Sequence, residues 1–139
     1  MNKVAFYYRK DLNVTKHGEF KAAVNMLQGD AVKRNDVTGQ AEIAANSDEF
    51  EGVVDVIRYN VQGNDTLDIE AGERVRVGVG KDFEIVVKGN HPALDALNKG
   101  AEVGVANGKF VAVDGTDVTV AVGKLVEKFI SGEKVVRIY

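Results

Sequence analysis

The chain has 139 residues, 15 glycines, a single proline, no cysteine and a formal charge of -3. That length fits one domain able to bury roughly two thirds of the surface its unfolded form exposes. The missing thiols exclude disulfides and thiolate metal sites, and the acidic balance disfavours the gripping of nucleic-acid phosphates as a main task.

The opening MNKVAFYYRKDLNV lacks the continuous apolar core of a signal peptide, and no window approaches the roughly 18 apolar residues of a membrane span. The expectation is a cytosolic product with no membrane partner. KVAFYYR reads as a possible strand, but LNVTKHGEFKAAVNMLQ sustains neither helical nor strand period. Residues 1–27 are therefore expected to form an extended arm packed on a neighbour. Its apolar content, including Phe6, Tyr7, Tyr8 and Phe20, needs such a surface, and Arg9 and Lys10 would add charge to the contact.

From residue 28 onward valine dominates, and glycine turns replace proline turns, which favours strands and tight hairpins. EGVVDVIRYNV reads as a strand, QGND as a turn, and TLDIEAGERVRVGVG and KDFEIVVKG as two further extended runs. In RVRVGVG the alternation is strict, with Val75, Val77 and Val79 on one face and Arg74, Arg76 and Gly78 on the other. HPALDALNKG carries Pro92 at its start and Gly100 after its end, the punctuation of a helix of about two turns.

EVGVA and KFVAV flank Asn107-Gly108, the pair preferred in a two-residue hairpin turn. With these as the turn, Ala106 faces Lys109, Val105 faces Phe110, Gly104 faces Val111 and Val103 faces Ala112. Val103, Val105, Phe110 and Ala112 then share an apolar face turned to the core. The other face bears Val111 and Val113, which predicts cover from another strand or subunit. Asp114-Gly115 offers a second turn into DVTVAV as a further strand. GKLVEKFISG fits a second short helix or a strand edge.

The inventory of reactive groups is poor. The serines are Ser47 and Ser131, neither in a nucleophile elbow, and the histidines are His17 and His91. Two distant histidines do not make a zinc site. Asp65, Asp68, Glu70 and Glu73 lack the spacing of a calcium loop. GVGVGKDF is no phosphate loop, because Asp82 follows Lys81 where Ser or Thr is required. The sequence predicts neither enzyme activity, cofactor nor metal.

Charge is segregated. Residues 1–40 hold seven basic and four acidic side chains, residues 41–73 one and nine, and residues 74–139 ten and eight. Such asymmetry suits complementary contacts, although an ordinary solvated acidic face produces it as well.

These readings give an all-β fold, mainly antiparallel, as a small barrel or a sandwich. One or two short helices and an extended N-terminal arm at 1–27 accompany a β domain at 28–139. The order of segments GDAVKRND, VTGQAEIAA, EFEGVVD, IEAGERVRVGVGKDFEIVV, ALNKGAEVGVANGKFVAVDG and GEKVVRIY resembles the capsid decoration (cement, or head-stabilising) proteins of tailed bacteriophages. The residues carrying the likeness are Gly29, Asp30 and Val32; Gly52 and Val53; Ala71, Gly72, Val75 and Val77; Leu97, Gly100 and Val103; and Val135, Val136 and Ile138.

The resemblance implies a protein of the virion, made in the host cytoplasm, that binds the outside of the head and clamps neighbouring capsomers. Its partners would be the major capsid protein and two sister subunits in a homotrimer. The likeness covers residues 28–139, and the apolar arm outside it, on its own composition, is expected to supply Phe6 to Lys10 and Phe20 as contact residues. The alternatives are another small-barrel virion component, from the tail or the head-tail connector, and a β barrel binding a small ligand or carbohydrate. The last is weakened by the absence of tryptophan.

Overall fold

The computed structural model describes residues 16–54, 68–87, 91–130 and 132–139. It is an all-β molecule built from a barrel, a five-stranded sheet and a two-stranded ribbon of β2 and β6. Its strands are β1 (Lys16–Ala22), β2 (Met26–Leu27), β3 (Ala31–Asn35), β4 (Gln40–Ile43), β5 (Gly52–Val54), β6 (Asp68–Ile69), β7 (Arg74–Val79), β8 (Phe83–Val87), β9 (Glu102–Ala106), β10 (Lys109–Ala112), β11 (Gly123–Lys128) and β12 (Lys134–Ile138). Ser47–Glu49 and Pro92–Ala96 form short 3-10 helices.

Five strands close a barrel in the order β1-β4-β3-β5-β7, and five more form a sheet in the order β10-β9-β11-β12-β8. All pairings are antiparallel except β1 with β4. Barrel and sheet are thus both present, each with its own apolar centre. Ala22, Met26, Val32, Ala41, Val54, Ile69, Val75, Val77 and Val79 fill the barrel. A second core lies against the sheet and includes Phe83, Ile85, Val87, Leu94, Val103, Val105, Phe110, Leu125, Val136 and Ile138.

Strand alternation ties the two cores together. Consecutive residues on a strand point to opposite faces, so Val32 and Val54 enter the barrel while their neighbours Ala31 and Val53 belong to the other core. β3 and β5 are therefore walls shared by both halves. The close fit of β5 against β7 explains Gly52: a Cβ there would lie 2.6 Å from Val77 Cγ1 and 2.7 Å from the Gly78 carbonyl.

Several elements differ from their sequence reading. Of the predicted arm, residues 16–27 are woven into the body: β1 pairs along its length with β7, from Lys16 opposite Val79 to Lys21 opposite Arg74. Its period is hidden because KHGEFKA offers only two apolar side chains, Phe20 and Ala22, to the barrel core. Residues 1–15 lie outside the described residues, as does most of EGVVDVIRYNV beyond Val54.

The Pro92 segment is a 3-10 helix and not a two-turn α-helix, closed by the Leu97 N–H donating to the Leu94 carbonyl. Of the two readings of GKLVEKFISG the strand holds for Gly123–Lys128, which is β11 and lies inside the sheet, paired with both β9 and β12. A register shift between Leu125 and Glu127 lets Leu125 face the main core while Val126 and Phe129 pack on Val86 and Val135 across the sheet. Apolar residues serving two faces mimic helical spacing.

DVTVAV is not a strand. The Asp114 carboxylate accepts from the backbone of Thr116 and Val118, curling the turn, and the outer edge of β10 is already occupied by the Pro92–Ala96 helix. The chain instead crosses the back of β9, where Val118 and Val120 lie on Gly104. A Cβ on Gly104 would stand 2.4 Å from Val118 Cγ1. This strap, and not a further strand, covers the outer face of the hairpin at Gly104.

Candidate functional site

The hairpin β9–β10 has the register expected from its turn: Ala106 opposite Lys109, Val105 opposite Phe110, Gly104 opposite Val111 and Val103 opposite Ala112. Asn107 and Gly108 sit at φ 49° and 79°, both in the left-handed region of a primed turn. The tip is docked into the barrel wall. Gly108 donates to the Ala44 carbonyl at 2.7 Å and accepts from the Ala31 N–H at 2.8 Å, while Asn107 donates to the Ala45 carbonyl.

Beside this tip lies a buried polar joint. The Asp30 side chain is 3% exposed; its Oδ2 accepts from the Leu27 N–H at 2.9 Å and its Oδ1 meets Lys109 Nζ at 2.5 Å. His91, wholly enclosed, stacks on Phe110 with ring centroids 5.3 Å apart. Its Nδ1 accepts from the Phe110 N–H at 3.0 Å, so the ring hydrogen of the neutral imidazole is on Nε2. That Nε2 is 3.8 Å from Asp30 Oδ1 and has no hydrogen-bond partner. Burial pushes the His91 pKa down to about 3, aided by the charges of Lys109 and Lys134.

The joint closes both edges of the second sheet. His91 takes the outward N–H of edge strand β10, and Gln28 Nε2 donates to the outward carbonyl of Val86 on edge strand β8 at 3.2 Å. An exposed strand edge invites pairing with another chain, and side-chain capping blunts that hazard. Gly29, between Gln28 and Asp30, reaches φ 86° and packs on both Val87 and His91. One three-residue segment therefore seals the gap between the two ends of the sheet.

The remaining polar groups are used structurally. Ser47 donates its hydroxyl to the Val120 carbonyl at 2.8 Å and accepts from the Val105 N–H at 3.0 Å, pinning the strap to the hairpin. With its proton given to a carbonyl it is not poised as a nucleophile. Ser131 lies outside the described residues. Among the described residues no three His, Asp or Glu side chains gather to hold a metal ion, and no helix is long and apolar enough to cross a membrane.

Of the predicted contact residues, Phe6, Tyr7, Tyr8, Arg9 and Lys10 fall outside the described residues. Phe20 lies on β1, half-buried against the barrel core. On the surface, Val37 and Ile130 project almost fully at the ends of the β3–β4 and β11–β12 hairpins, 97% and 109% exposed. An exposed ion pair joins Arg137 to Asp82 and raises the Arg137 pKa, while the buried Lys134 pairs with the exposed Asp95 and holds that carboxylate below its usual range.

Sequence reasoning noted Asp30 only among the residues of the family likeness and His91 only as one of two distant histidines, and missed that they meet. Asp30 and Lys109 are 79 positions apart, and no local period marks such a pair. The available signal was Gly29 before Asp30, a glycine forced by close packing.

No protein-family model matches the chain, and no curated protein matches its sequence. Its fold, however, is similar to a solved structure, the N base of head fiber gp8.5 in bacteriophage phi29. The two align with a TM-score of 0.54 over 89% of this chain and 93% of that one, at 17% sequence identity. At that identity the likeness establishes a shared β architecture.

Proposed function

We propose that this chain is a structural protein of a phage head, bound to the outer surface of the capsid as a decoration protein that holds neighbouring capsomers together. The observation that carries this reading is the fold shared with a head fiber base across nearly the whole of both chains. The segment order from Gly29 to Ile138 points the same way independently of that comparison.

The build of the molecule suits a load-bearing fitting. Two apolar cores share walls, the hairpin tip is bonded into the barrel, and both free sheet edges are capped. The described polar groups serve packing and pairing, in keeping with a protein that works by adhesion and without turnover. In this proposal residues Phe6 to Lys10 contact the major capsid protein or a sister subunit, and three copies form the functional unit.

Native mass spectrometry of the purified chain tests the assembly: a trimer is expected, and a larger ring favours a connector or tail component instead. Deleting residues 2–15 should weaken binding to preformed heads; unchanged occupancy removes that segment from the account. The same fold comparison supports one second reading, that the chain is the base of a head fiber and carries a further fibrous part. A base is expected to sit at isolated head positions, whereas a decoration protein repeats over the whole lattice.

A further inference from the structure

Lys109 Nζ stands 2.5 Å from Asp30 Oδ1. The carboxylate is almost entirely removed from water, while the lysine side chain remains one third exposed. Beside the carboxylate, Gly29 packs on Val87 and on His91, whose ring stacks on Phe110. The third polar group at the site, His91, presents an Nε2–H without a partner 3.8 Å from the same Oδ1. A buried ion pair gains little over a well-packed apolar replacement. An orphaned donor next to it is an added cost.

We propose that Asp30 and Lys109 are the two halves of an intramolecular amide bond, formed after folding, that welds β3 to β10. The step balances without a cofactor. A proton passes from Nζ to the carboxylate, giving an amine and a carboxylic acid. The nitrogen lone pair attacks Cγ, and negative charge develops on one carboxyl oxygen. The C–OH bond then breaks, and the oxygen leaves as water with the second proton from nitrogen, so that the amide retains one N–H.

His91 has the geometry of an electrophilic helper in this step. Its Nδ1 is committed to the Phe110 N–H, which leaves the ring hydrogen on Nε2, 3.8 Å from Asp30 Oδ1. A donor lacking a partner in the ground state, aimed where an oxyanion develops, favours the tetrahedral intermediate over the resting pair. Burial keeps the ring neutral across the physiological range, the form that donates without carrying charge. The partial exposure of Lys109 leaves a path for the departing water.

The bond would go beyond the binding role proposed above, giving a covalent lock between the barrel and the hairpin docked in it. Its test requires no capsid, so it stands or falls separately from that role. Intact-mass spectrometry of the purified chain is expected to find one water fewer than the sequence mass. Tryptic mapping is expected to find peptides containing Asp30 and Lys109 joined, with no cleavage after Lys109.

Lys109→Arg keeps a cation beside Asp30 but does not form the bond, and should restore the full mass. His91→Phe keeps a ring against Phe110 without the N–H, and should slow the loss of water at least several-fold after refolding. A wild-type protein of full mass, or a loss of water that persists in Lys109→Arg, as a cyclised Asp114-Gly115 would produce, overturns the bond. Equal rates in the wild type and His91→Phe overturn the part given to His91.

Discussion

Gly29 lies against Val87 with no space for a side chain: a Cβ built on Gly29 would stand 2.4 Å from Val87 Cγ1 and 3.1 Å from Val87 Cβ. The contact is fixed from both directions. The Gly29 N–H donates to the Val54 carbonyl at 2.9 Å, and Val87 is held in its strand opposite Lys134. Gly29→Ala is expected to combine left-handed backbone strain with overpacking and to destabilise the fold by about 2–4 kcal/mol. Thermal or urea denaturation measures it, and an unshifted midpoint would deny the seal between β8 and β3.

Gly108 and Gly115 form a matched pair. Both adopt a positive φ, 79° and 78°, but a Cβ on Gly108 would lie 2.9 Å from Ile43 Cγ2, whereas a Cβ on Gly115 meets nothing within 4 Å. Gly115→Val should therefore cost about 1 kcal/mol from backbone strain alone, and Gly108→Val about 2 kcal/mol or more. Equal losses, read from urea midpoints, would mean that the hairpin tip is not docked in the barrel.

These glycines also mark how far the sequence was legible. The Asn107-Gly108 register could be written residue by residue, because turn chemistry and strand alternation are local. The strict alternation of Val75, Val77 and Val79 likewise located β7, whose Arg74 and Arg76 are exposed. β1 was illegible because it carries only two apolar side chains, Phe20 and Ala22, and β11 because a register shift places Leu125 and Val126 in different clusters. The Asp30–His91–Lys109 joint was illegible for a different reason: its members meet only through folding of the whole chain, and each alone reads as a turn residue or a surface lysine.

The same joint predicts acid sensitivity. The folded-state pKa of His91, about 3, lies below its unfolded value of 6.5, so the unfolded chain takes up the proton first as pH falls. The stability tied to a neutral His91 is complete above about pH 6.5 and is lost progressively toward pH 3, with a total on the order of 5 kcal/mol. Before the amide forms, Lys109 and Lys134 oppose the charged ring and Asp30 is the acidic group facing it; once it has formed, burial of the ring still opposes its protonation. Urea midpoints across this range should fall for the wild type and fall less for His91→Phe. Parallel profiles would remove His91 as the titrating group.

Ser47 is expected to hold the strap. Its hydroxyl bridges the Val120 carbonyl and the Val105 N–H, so Ser47→Ala should cost about 1–2 kcal/mol and make the bonds around Thr116 to Val120 more susceptible to limited proteolysis. A cleavage pattern identical to that of the wild type would show that packing on Gly104 alone secures the segment.

The most direct test of the central proposal is a cryo-electron microscopy reconstruction of preformed heads incubated with the purified chain. The account predicts saturable density on the outer surface, repeated across the capsid lattice at sites between capsomers, with the two-core β body recognisable in each copy. Bare heads at saturating protein, or density confined to the tail or portal, would contradict it.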